Sequence, residues 1–369
     1  MNRPQRIDQV VHILAARDAI GAHVLHTRQV LESEGYRSDI YASGAQPEVA
    51  DLARPLESLG EHSAGRWLLF HHSTGATAAE AVRRRGEPVI LDYHNVTPAA
   101  LVAPWAPWLR EELELGVEQL AELAPDAVFG IAHSHFSEAE MRKVGCRHTT
   151  TAAPLVDFDG LDTVADGDAR RAMEAAKAAG GADWLFVGRV SPHKAQHDLV
   201  KAFACYRRAF DPEARLHLVG SALGEEYRRA LERFCRRLGI ADAVDMAGSV
   251  PAGVLAAYYA SADVFVCASD HEGFCVPLVE AMHAGVPVVA YDAAAVGETV
   301  GDGGLVLEDK SPMALATAVH RVVSDGTLRQ AMVRAGNRRA AQFAPAAGRA
   351  RMAGAIAEAV EAGRRLGVS

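Results

Sequence analysis

The stretch Asp263–Met282, DVFVCASDHEGFCVPLVEAM, joins a short apolar run to an acidic turn and then to a helix-forming segment. Asp263–Ala268 predicts a buried strand, because a short continuous apolar run followed by turn residues is typical of a parallel sheet. Pro277 suits the first turn of a helix, and Gly285 followed by Pro287 predicts where that helix ends. The stretch therefore predicts a strand, a turn and a helix in succession.

Two carboxylates flank the start of this predicted helix. Glu272 lies in the acidic turn, and Glu280 lies about one turn into the helix. Backbone N–H groups at a helix start attract anions, and Gly273 allows the backbone to approach a ligand closely. The two carboxylates can therefore hold different hydroxyl groups of one extended ligand. The pattern predicts a phosphorylated, hydroxyl-rich ligand such as a nucleotide sugar.

The first half of the chain alternates apolar runs with helical stretches. A turn through Gly21 is predicted to lead into a helix across Val24–Leu31, which Gly35 ends. Alternation of this kind favours a parallel sheet covered by helices. The predicted strands of this half are Val10–Ala15, Ser38–Tyr41, Trp67–Phe70, Val89–Asp92 and Ala127–Ile131.

The second half repeats this alternation, and the chain of 369 residues exceeds the usual size of a single core. We therefore predict the α/β class, with two Rossmann-like doubly wound domains facing across a cleft that binds the ligand. The predicted division is 1–155, 156–345 and a C-terminal helix, 346–369, that packs across the domain junction. The predicted strands of the second half are Trp184–Gly188, Leu216–Gly220, Ala243–Met246, Asp263–Ala268, Val288–Tyr291 and Leu305–Leu307.

The composition is that of an ordinary globular protein and narrows the possible partners. The net charge is -9 at pH 7 with acidic and basic residues interspersed, so we expect no nucleic-acid partner. The five cysteines are odd in number and form no CxxC pair, which predicts reduced thiols. No apolar run approaches the roughly 20 residues that cross a bilayer, and the start lacks an apolar signal core. We expect a cytoplasmic protein whose membrane contact is at most peripheral, at the inner face.

A second informative string, FVGRVSPHK, covers Phe186–Lys194. A predicted strand ends at Gly188 and releases Arg189 and Lys194 into the following turn, where ligands bind in open α/β sheets. Arginine grips a phosphate with two parallel hydrogen bonds and lysine adds a compact charge, so together they can neutralise a diphosphate. The alternative is that both are solvated loop cations; the acidic turn in the same half favours a functional interpretation.

These two strings together resemble the signature of the retaining glycosyltransferases of family 4, which have the GT-B fold. The family pattern E-G-F-x-x-P-x-x-E-A-M matches Glu272–Met282, and its G-R-x-x-x-x-K string matches Gly188, Arg189 and Lys194. The resemblance covers nearly the whole chain. It implies that the two cations bind the donor diphosphate and that Glu280 binds the ribose. The residues that it implies to face the donor sugar and phosphates are Glu272, Gly273, Phe274, Cys275 and Val276.

Three further segments gain a role from this resemblance. His94, in the string DYHNVTP directly after an apolar strand, resembles the family's cleft histidine near the reacting sugar; the alternative is a histidine that merely caps the turn. Gly21 occupies the place of the family's glycine-rich loop near the donor phosphates, although this chain has a single glycine there. A turn is predicted to contact the nucleotide base through its backbone, as in relatives: Gly248, Ser249 and Val250.

Two other groups of residues are interpreted as structural. We expect no zinc site at His71–His72 or His133–His135, because no Asp or Cys partner recurs at ligand spacing. The resemblance likewise implies a metal-independent enzyme without a cofactor. Cys267 and Cys275 are interpreted as small buried groups, since neither has an adjacent base in the sequence.

The resemblance implies a hexosyltransferase that moves a sugar from a nucleoside diphosphate to an acceptor hydroxyl with retention of the anomeric configuration. The first domain would bind the acceptor and the second the nucleotide sugar, with uridine diphosphate the favoured carrier and guanosine diphosphate next. The donor phosphate would accept the proton of the acceptor. Catalytic roles would fall to His94, Arg189, Lys194 and Glu272.

Other classes and partners stay open at this stage. One alternative is a non-catalytic paralogue that binds a nucleotide sugar, and another is a nucleotide-sugar epimerase, which shares the fold class. The acceptor is a small molecule, a glycan or a lipid-linked sugar, and the oligomeric state is open. Trp105 and Trp108 line an acceptor pocket, touch a membrane or pack in the core.

Overall fold

The structure is a computed structural model that describes residues 4–15 and 18–368. The chain forms two compact units. The first comprises Met1–Ala99, Trp108–Val156 and Pro345–Ser369, and the second comprises Ala100–Pro107 and Asp157–Ala344. The division predicted from the sequence, at residues 155 and 345, stays a prediction about independent domains.

The first unit is built on a parallel sheet in the order β3-β2-β1-β4-β5-β6-β7. The strand order reverses between β1 and β4, and this is the switch point where doubly wound sheets bind ligands. Its strands are Arg6–Leu14 (β1), Ile40–Ala45 (β2), Arg54–Pro55 (β3), Arg66–His72 (β4), Val89–Tyr93 (β5), Phe129–Ala132 (β6) and Thr149–Thr151 (β7).

The second unit has a parallel sheet in the order β10-β9-β8-β11-β12-β13, with its switch point between β8 and β11. The two sheets confirm the predicted α/β class with two Rossmann-like domains. Its strands are Asp183–Val187 (β8), Arg215–Val219 (β9), Val244–Gly248 (β10), Val264–Cys267 (β11), Val288–Tyr291 (β12) and Leu305–Leu307 (β13).

Helices connect successive strands, as parallel pairing requires. Several begin at a side-chain cap: Ser134 accepts from Ser137 N–H, and Asp166 and Asp325 each accept two backbone N–H groups. No helix among the described residues has both the length and the apolar character needed to cross a bilayer. The helices are Ala19–Ser33 (α1), Thr77–Arg83 (α2), Ala99–Val102 (α3), Arg110–Leu123 (α4), His135–Lys143 (α5), Asp159–Asp162 (α6), Gly167–Ala178 (α7), Gln196–Ala209 (α8), Glu225–Leu238 (α9), Ala252–Ser261 (α10), Val276–His283 (α11), Val296–Val300 (α12), Pro312–Ser324 (α13), Gly326–Ala341 (α14) and Pro345–Arg365 (α15).

Each unit has its own apolar core. In the second unit, Trp184 on β8 packs against Phe203 and Tyr206 of α8, with ring centroids 5.6 and 5.1 Å away. In the first unit, the last helix of the chain completes the core, because Met352 and Ile356 of α15 are buried with β4 and β6 residues. The first unit therefore depends on residues from both ends of the chain.

The beginning of α1 corrects the predicted position of Gly21. The helix begins at Ala19, so Gly21 lies in its first turn and not in the loop before it. A β-carbon at Gly21 would overlap the carbonyl group of Ala15, and the glycine is needed because helix and strand end approach each other closely. Two short strands, β3 and β7, were not predicted, since neither carries an apolar run.

Candidate active site

The second unit brings two predicted residues, Lys194 and Glu272, into direct contact. Lys194 lies in a short 3-10 turn after β8, and Glu272 lies between β11 and α11. Lys194 Nζ donates to Glu272 Oε2 over 2.5 Å, with the two side chains 19% and 5% exposed. Burial by itself lowers the pKa of Lys194, but the Glu272 carboxylate outweighs it, so the pKa lies above its ordinary value. Lys194 therefore stays charged at neutral pH.

The Glu272 carboxylate is held from its other side as well. Its Oε1 accepts a hydrogen bond from Ser269 Oγ over 2.8 Å, and its backbone carbonyl accepts from Ala295 N–H over 3.1 Å. Ser269 is itself buried and accepts from Cys267 Sγ. A carboxylate fixed at both oxygens and at its backbone can orient hydroxyl groups of a ligand.

The start of α11 leaves backbone donors unpaired. Cys275 is the N-cap residue with φ 75°, and Pro277 lies in the first turn, as predicted. Across the part of the chain that the structure describes, the N–H groups of Gly273–Val276 donate to no acceptor. The residue in the left-handed region is Cys275 and not Gly273. Because Phe274 packs its ring on Phe343, 5.3 Å between centroids, it can offer a ligand its N–H and not its side chain.

Glu280 lies inside α11 and contacts a buried tyrosine. Tyr259 Oη donates to Glu280 Oε2 over 2.8 Å. Burial raises the pKa of Glu280 above its ordinary value, and the Tyr259 hydrogen bond opposes this only in part. Hydroxyl donors from a ligand would therefore stabilise the ionised form of this carboxylate.

Gly188 and Arg189 follow β8 as predicted. Gly188 has φ 147°, and Arg189 is exposed. Its guanidinium forms no ion pair or hydrogen bond with any described residue. The turn behind it is tied to the acidic turn, because Asp270 N–H donates to the His193 carbonyl over 2.7 Å. The two predicted strings thus form one continuous surface.

The turn Gly248–Val250 begins at the end of β10. Gly248 has φ 67°, and its carbonyl accepts from Gly220 N–H over 2.9 Å. Ser249 is exposed. Since β10 is two strands away from β8, this turn lies roughly 10 Å along the sheet edge from the β8 turn. Such a span suits the distance between the phosphates and the base of a nucleotide.

The first unit gathers histidines around one carboxylate, Asp92. This residue lies near the end of β5, is fully buried, and has His71 opposite it on β4. The expectation that these histidines have no Asp partner is therefore wrong, because adjacent strand ends meet irrespective of sequence spacing. The distances from Asp92 oxygens to ring nitrogens are 3.0 Å for His23 and for His71, 3.2 Å for His133 and 3.6 Å for His94.

The ionisation of this cluster follows from burial and from the carboxylate. Burial raises the pKa of Asp92, but the surrounding imidazoles outweigh it and hold the pKa well below its ordinary range. Burial lowers the pKa of His23 to about 4 and that of His94 well below its usual value. For His133 the attraction of Asp92 outweighs burial and raises the pKa. The cluster therefore contains an ionised carboxylate beside two rings with a lowered pKa, His23 and His94, and one ring with a raised pKa, His133.

The loop after β5 holds His94 in place. Asn95 has φ 74°, a left-handed conformation that asparagine tolerates better than most residues. Its side-chain amide donates to Glu140 Oε2 over 2.6 Å and to Ser137 Oγ over 3.2 Å. The His94 side chain is 5% exposed, and its Nε2 lies 3.0 Å from His71 Nδ1. The His94 ring thus contacts His71 of β4, and the loop that carries it is anchored on α5 through Asn95.

The two tryptophans differ in their surroundings. Trp105 belongs to the second unit and contacts Tyr227 edge-on, with ring centroids 5.5 Å apart, while 39% of it stays exposed. Trp108 is 58% exposed. Core packing is therefore excluded for Trp108. Cys267 and Cys275 are buried free thiols, in agreement with their interpretation as small buried groups.

Comparison with known proteins finds relatives of this chain and a family whose sequence pattern matches part of it. A D-inositol 3-phosphate glycosyltransferase of Geodermatophilus obscurus is 32% identical over 304 residues, which cover 79% of this chain and 66% of that protein. The sequence pattern of the family described as Glycosyl transferases group 1 matches residues 172–339. This family match falls entirely within the second unit, in Asp157–Ala344.

Other group 1 relatives match in the same way. A D-inositol 3-phosphate glycosyltransferase of Catenulispora acidiphila is 32% identical over 275 residues, 70% of this chain and 63% of that protein. A GDP-mannose-dependent phosphatidylinositol monomannoside mannosyltransferase of Mycolicibacterium smegmatis is 35% identical over 193 residues, 50% of this chain and 49% of that protein. The chain spans just under two thirds of the length of the first of these curated relatives.

Solved structures of similar fold confirm the predicted architecture. The sucrose-phosphate synthase of Thermosynechococcus elongatus superposes with a TM-score of 0.72 at 19% identity, covering 94% of this chain and 97% of that one. The HepE protein of Anabaena, in complex with UDP and glucose, gives 0.72 at 20% identity, covering 95% and 99%. The predicted GT-B class is therefore confirmed.

Sequence reasoning missed Lys310. Its ammonium binds Asp270 of the acidic turn and also Asp198 of α8, over 2.9 Å to Oδ2. It also donates to the Ala268 carbonyl over 3.3 Å. One cation therefore links the segment after Lys194 to the segment before Glu272. A lone Lys in a loop gives no sequence signal for this role.

Proposed function

We propose that this protein is a glycosyltransferase of group 1, which moves a hexose from a nucleoside-diphosphate donor to an acceptor hydroxyl and retains the anomeric configuration. Retention is supported by the family 4 pattern from Glu272 to Met282. Neither a cofactor nor a metal ion is required for the donor half of this proposal. The five free cysteines fit a cytoplasmic location, where nucleotide sugars are made.

The observation that carries the proposal is the contact between Lys194 and Glu272 beside the unpaired N–H groups of Gly273–Val276. An ammonium has three donors, and among the described residues Lys194 uses one of them, on Glu272. The remaining donors are available for phosphate oxygens. A sugar hydroxyl on Glu272 and a phosphate on Lys194 can therefore be bound side by side.

Catalysis in this proposal is mainly electrostatic. The bond between the anomeric carbon and the phosphate oxygen breaks, and negative charge grows on the departing diphosphate. Lys194, Arg189 and the start of α11 stabilise that charge, while Glu272 orients the sugar. The acceptor oxygen forms the new bond on the same face, and its proton passes to the diphosphate. The family resemblance implies that His94 would act near the reacting sugar, where it would contribute a neutral ring.

Uridine diphosphate is the carrier that we favour, followed by guanosine diphosphate. The HepE structure, similar in fold, contains UDP and glucose, and the relative from Mycolicibacterium smegmatis is named for GDP-mannose. Glu280 would accept hydrogen bonds from the ribose. The backbone of Gly248–Val250 would contact the base, and backbone contacts alone suit more than one base.

The acceptor that we would test first is a phosphorylated polyol. Relatives in two organisms are named for D-inositol 3-phosphate, and a third is named for a phosphatidylinositol monomannoside. Small-molecule, glycan and lipid-linked acceptors all carry the hydroxyl that the chemistry needs. Any membrane contact would then be peripheral.

The experiment is a matrix of donors and acceptors with release of nucleoside diphosphate as the readout. Donors are UDP-glucose, UDP-N-acetylglucosamine and GDP-mannose, and acceptors are D-inositol 3-phosphate and myo-inositol. We expect release that depends on an acceptor, with an α-linked product from an α-linked donor by proton NMR. An epimerised donor without release would indicate an epimerase. A rise of the melting temperature with nucleotide but no turnover on any pair would indicate a non-catalytic paralogue.

A further inference from the structure

Two buried atoms in the first unit face each other without forming a hydrogen bond. Asp92 Oδ1 and His133 Nε2 lie 3.2 Å apart, on residues that are 0% and 5% exposed. Neither atom has a hydrogen-bond partner among the described residues. A buried polar atom without a partner is costly and calls for an explanation.

The tautomer of His133 is fixed by its other nitrogen. His133 Nδ1 lies 2.8 Å from the Ala152 carbonyl, which only accepts, so Nδ1 carries a hydrogen. In the neutral ring, Nε2 then carries a lone pair. Asp92 Oδ1 belongs to a carboxylate and carries lone pairs as well. Two lone pairs in contact require a positive charge between or beside them.

The separation of the two atoms matches a pair of metal ligands. Zn–N and Zn–O bonds of about 2.0 Å at tetrahedral angles put two ligand atoms roughly 3.3 Å apart. The observed distance is 3.2 Å. A ring nitrogen of His94 belongs to the same group, which also includes a ring nitrogen of His23 and in which all these atoms lie within 4.8 Å of one another. Three ligands thus converge from the ends of β5 and β6.

His23 supports this group without joining it. Leu155 N–H donates to His23 Nδ1 over 3.1 Å, so Nδ1 carries no hydrogen and Nε2 does. That Nε2–H group points at Asp92 Oδ2 over 3.0 Å. A carboxylate that binds a metal through one oxygen commonly accepts a hydrogen bond at the other. His23 therefore holds Asp92 with its free oxygen toward His133.

We propose that Asp92, His94 and His133 form a binding site for a divalent transition-metal ion of the zinc type. Two imidazoles and one carboxylate select zinc or its neighbours over magnesium and calcium, which prefer oxygen ligands. All three ligands belong to the first unit, and the proposal does not depend on the donor chemistry. The ion fixes the ring of His94 and leaves a fourth position for water or a ligand.

The alternative source of positive charge is a proton. If His133 is an imidazolium, its Nε2–H group faces Asp92 and no metal is needed. The two explanations make different predictions for a metal titration, because a cobalt ion bound at a tetrahedral site has a visible absorption and a proton does not.

The test uses the full chain after treatment with a chelator. Titration with Co²⁺ is expected to give tetrahedral absorption bands that saturate at about one ion per chain, and Zn²⁺ should displace them and raise the melting temperature. His133→Asn should abolish the bands. His135→Asn, at an exposed neighbouring position, should leave them unchanged.

If circular dichroism shows that His133→Asn does not fold, two other variants test the site. His94→Asn should also abolish the bands, whereas His23→Gln should weaken binding by about 10- to 100-fold, as loss of a supporting hydrogen bond does. The proposal is overturned if the wild-type chain shows no cobalt bands and no change of melting temperature with zinc. It is equally overturned if His133→Asn binds cobalt like the wild type.

Discussion

The carboxyl ends of the two sheets arrange their charged groups in opposite ways. In the second unit, Lys194 and Glu272 form one pair, while Arg189 and the N–H groups before α11 have no partner among the described residues. In the first unit, Asp92 is fully buried and surrounded by imidazole rings. One sheet end is open to an anion, and the other is closed around its own carboxylate.

This difference indicates that the polar groups of the two units have different roles. In the second unit, unpaired N–H donors and an exposed guanidinium can form hydrogen bonds and ion pairs with a charged ligand. A buried carboxylate with several partners instead fixes the positions of the rings around it, including His94. We therefore expect substitutions in the second unit to affect turnover first, and substitutions of Asp92 to affect stability first.

The largest effect on turnover should come from Lys194→Ala. Loss of a charge that stabilises the departing diphosphate should lower kcat by about 10²- to 10³-fold. The measurement is release of nucleoside diphosphate with the best donor and acceptor pair. Lys177→Ala is the control, because Lys177 pairs with Asp263 at the surface. Turnover close to wild type in Lys194→Ala would refute the assigned role.

The next effect contrasts the two carboxylates by stability. Asp92→Asn removes the charge that several rings share, and it should lower the free energy of unfolding by about 3 kcal/mol. Glu272→Gln keeps a hydrogen-bond acceptor beside a partly exposed Lys194, and it should cost less than half as much. Urea unfolding of both variants measures the difference. Equal costs would show that the two sheet ends are not organised differently.

A smaller effect on turnover is expected for Lys310→Met. Without this cation, Asp198 and Asp270 lose their shared partner, and the turns that carry Lys194 and Glu272 can separate. We expect kcat to fall by about tenfold with little change in KM, and Lys310→Arg to restore part of it. Lys201→Met is the matched control, since Lys201 also binds Asp198 but does not reach Asp270. An unchanged kcat would show that Lys310 does not hold the turns of Lys194 and Glu272 together.

The smallest effect concerns pH and Glu280. Because burial raises its pKa, Glu280 becomes charged only above the ordinary value of 4.5. The protonated form of Glu280 stabilises the folded protein, and this stability is lost as pH rises through the raised pKa. Ribose hydroxyls favour the ionised form, so affinity for UDP should rise several-fold across that range. Glu280→Gln should remove the dependence, measured by calorimetry, whereas the exposed Glu226→Gln should keep it. A dependence that survives in Glu280→Gln would assign the titration elsewhere.

Sequence patterns predicted the donor side better than the first unit. Lys194 and Glu272 each lie in the turn after an apolar strand, and β8 and β11 are neighbours in the sheet, so their contact follows from the order of the strands. The shell of Asp92 has no such local signal. His23 comes from α1, His71 comes from β4 and His133 follows β6, and only the tertiary fold brings them together.

Boundaries and short elements were predicted less well for physical reasons. The resemblance to the family's glycine-rich loop places Gly21 in a turn, whereas in the structure it allows the first turn of α1 to approach the end of β1. The strands β3 and β7 pair at the sheet edges and carry no apolar run. Lys310 acts through contacts with two distant segments, and no residue next to it in the sequence indicates them.

The last helix has a consequence for how the protein is made. Domains generally fold as they leave the ribosome, the earliest part first. Here the core of the first unit lacks Met352 and Ile356 until α15 has been synthesised, while Asp157–Ala344 of the second unit is complete before that. The first unit, most of which is translated before the second, therefore completes its apolar core after it. Until α15 has been synthesised, one side of that core stays uncovered in the nascent chain.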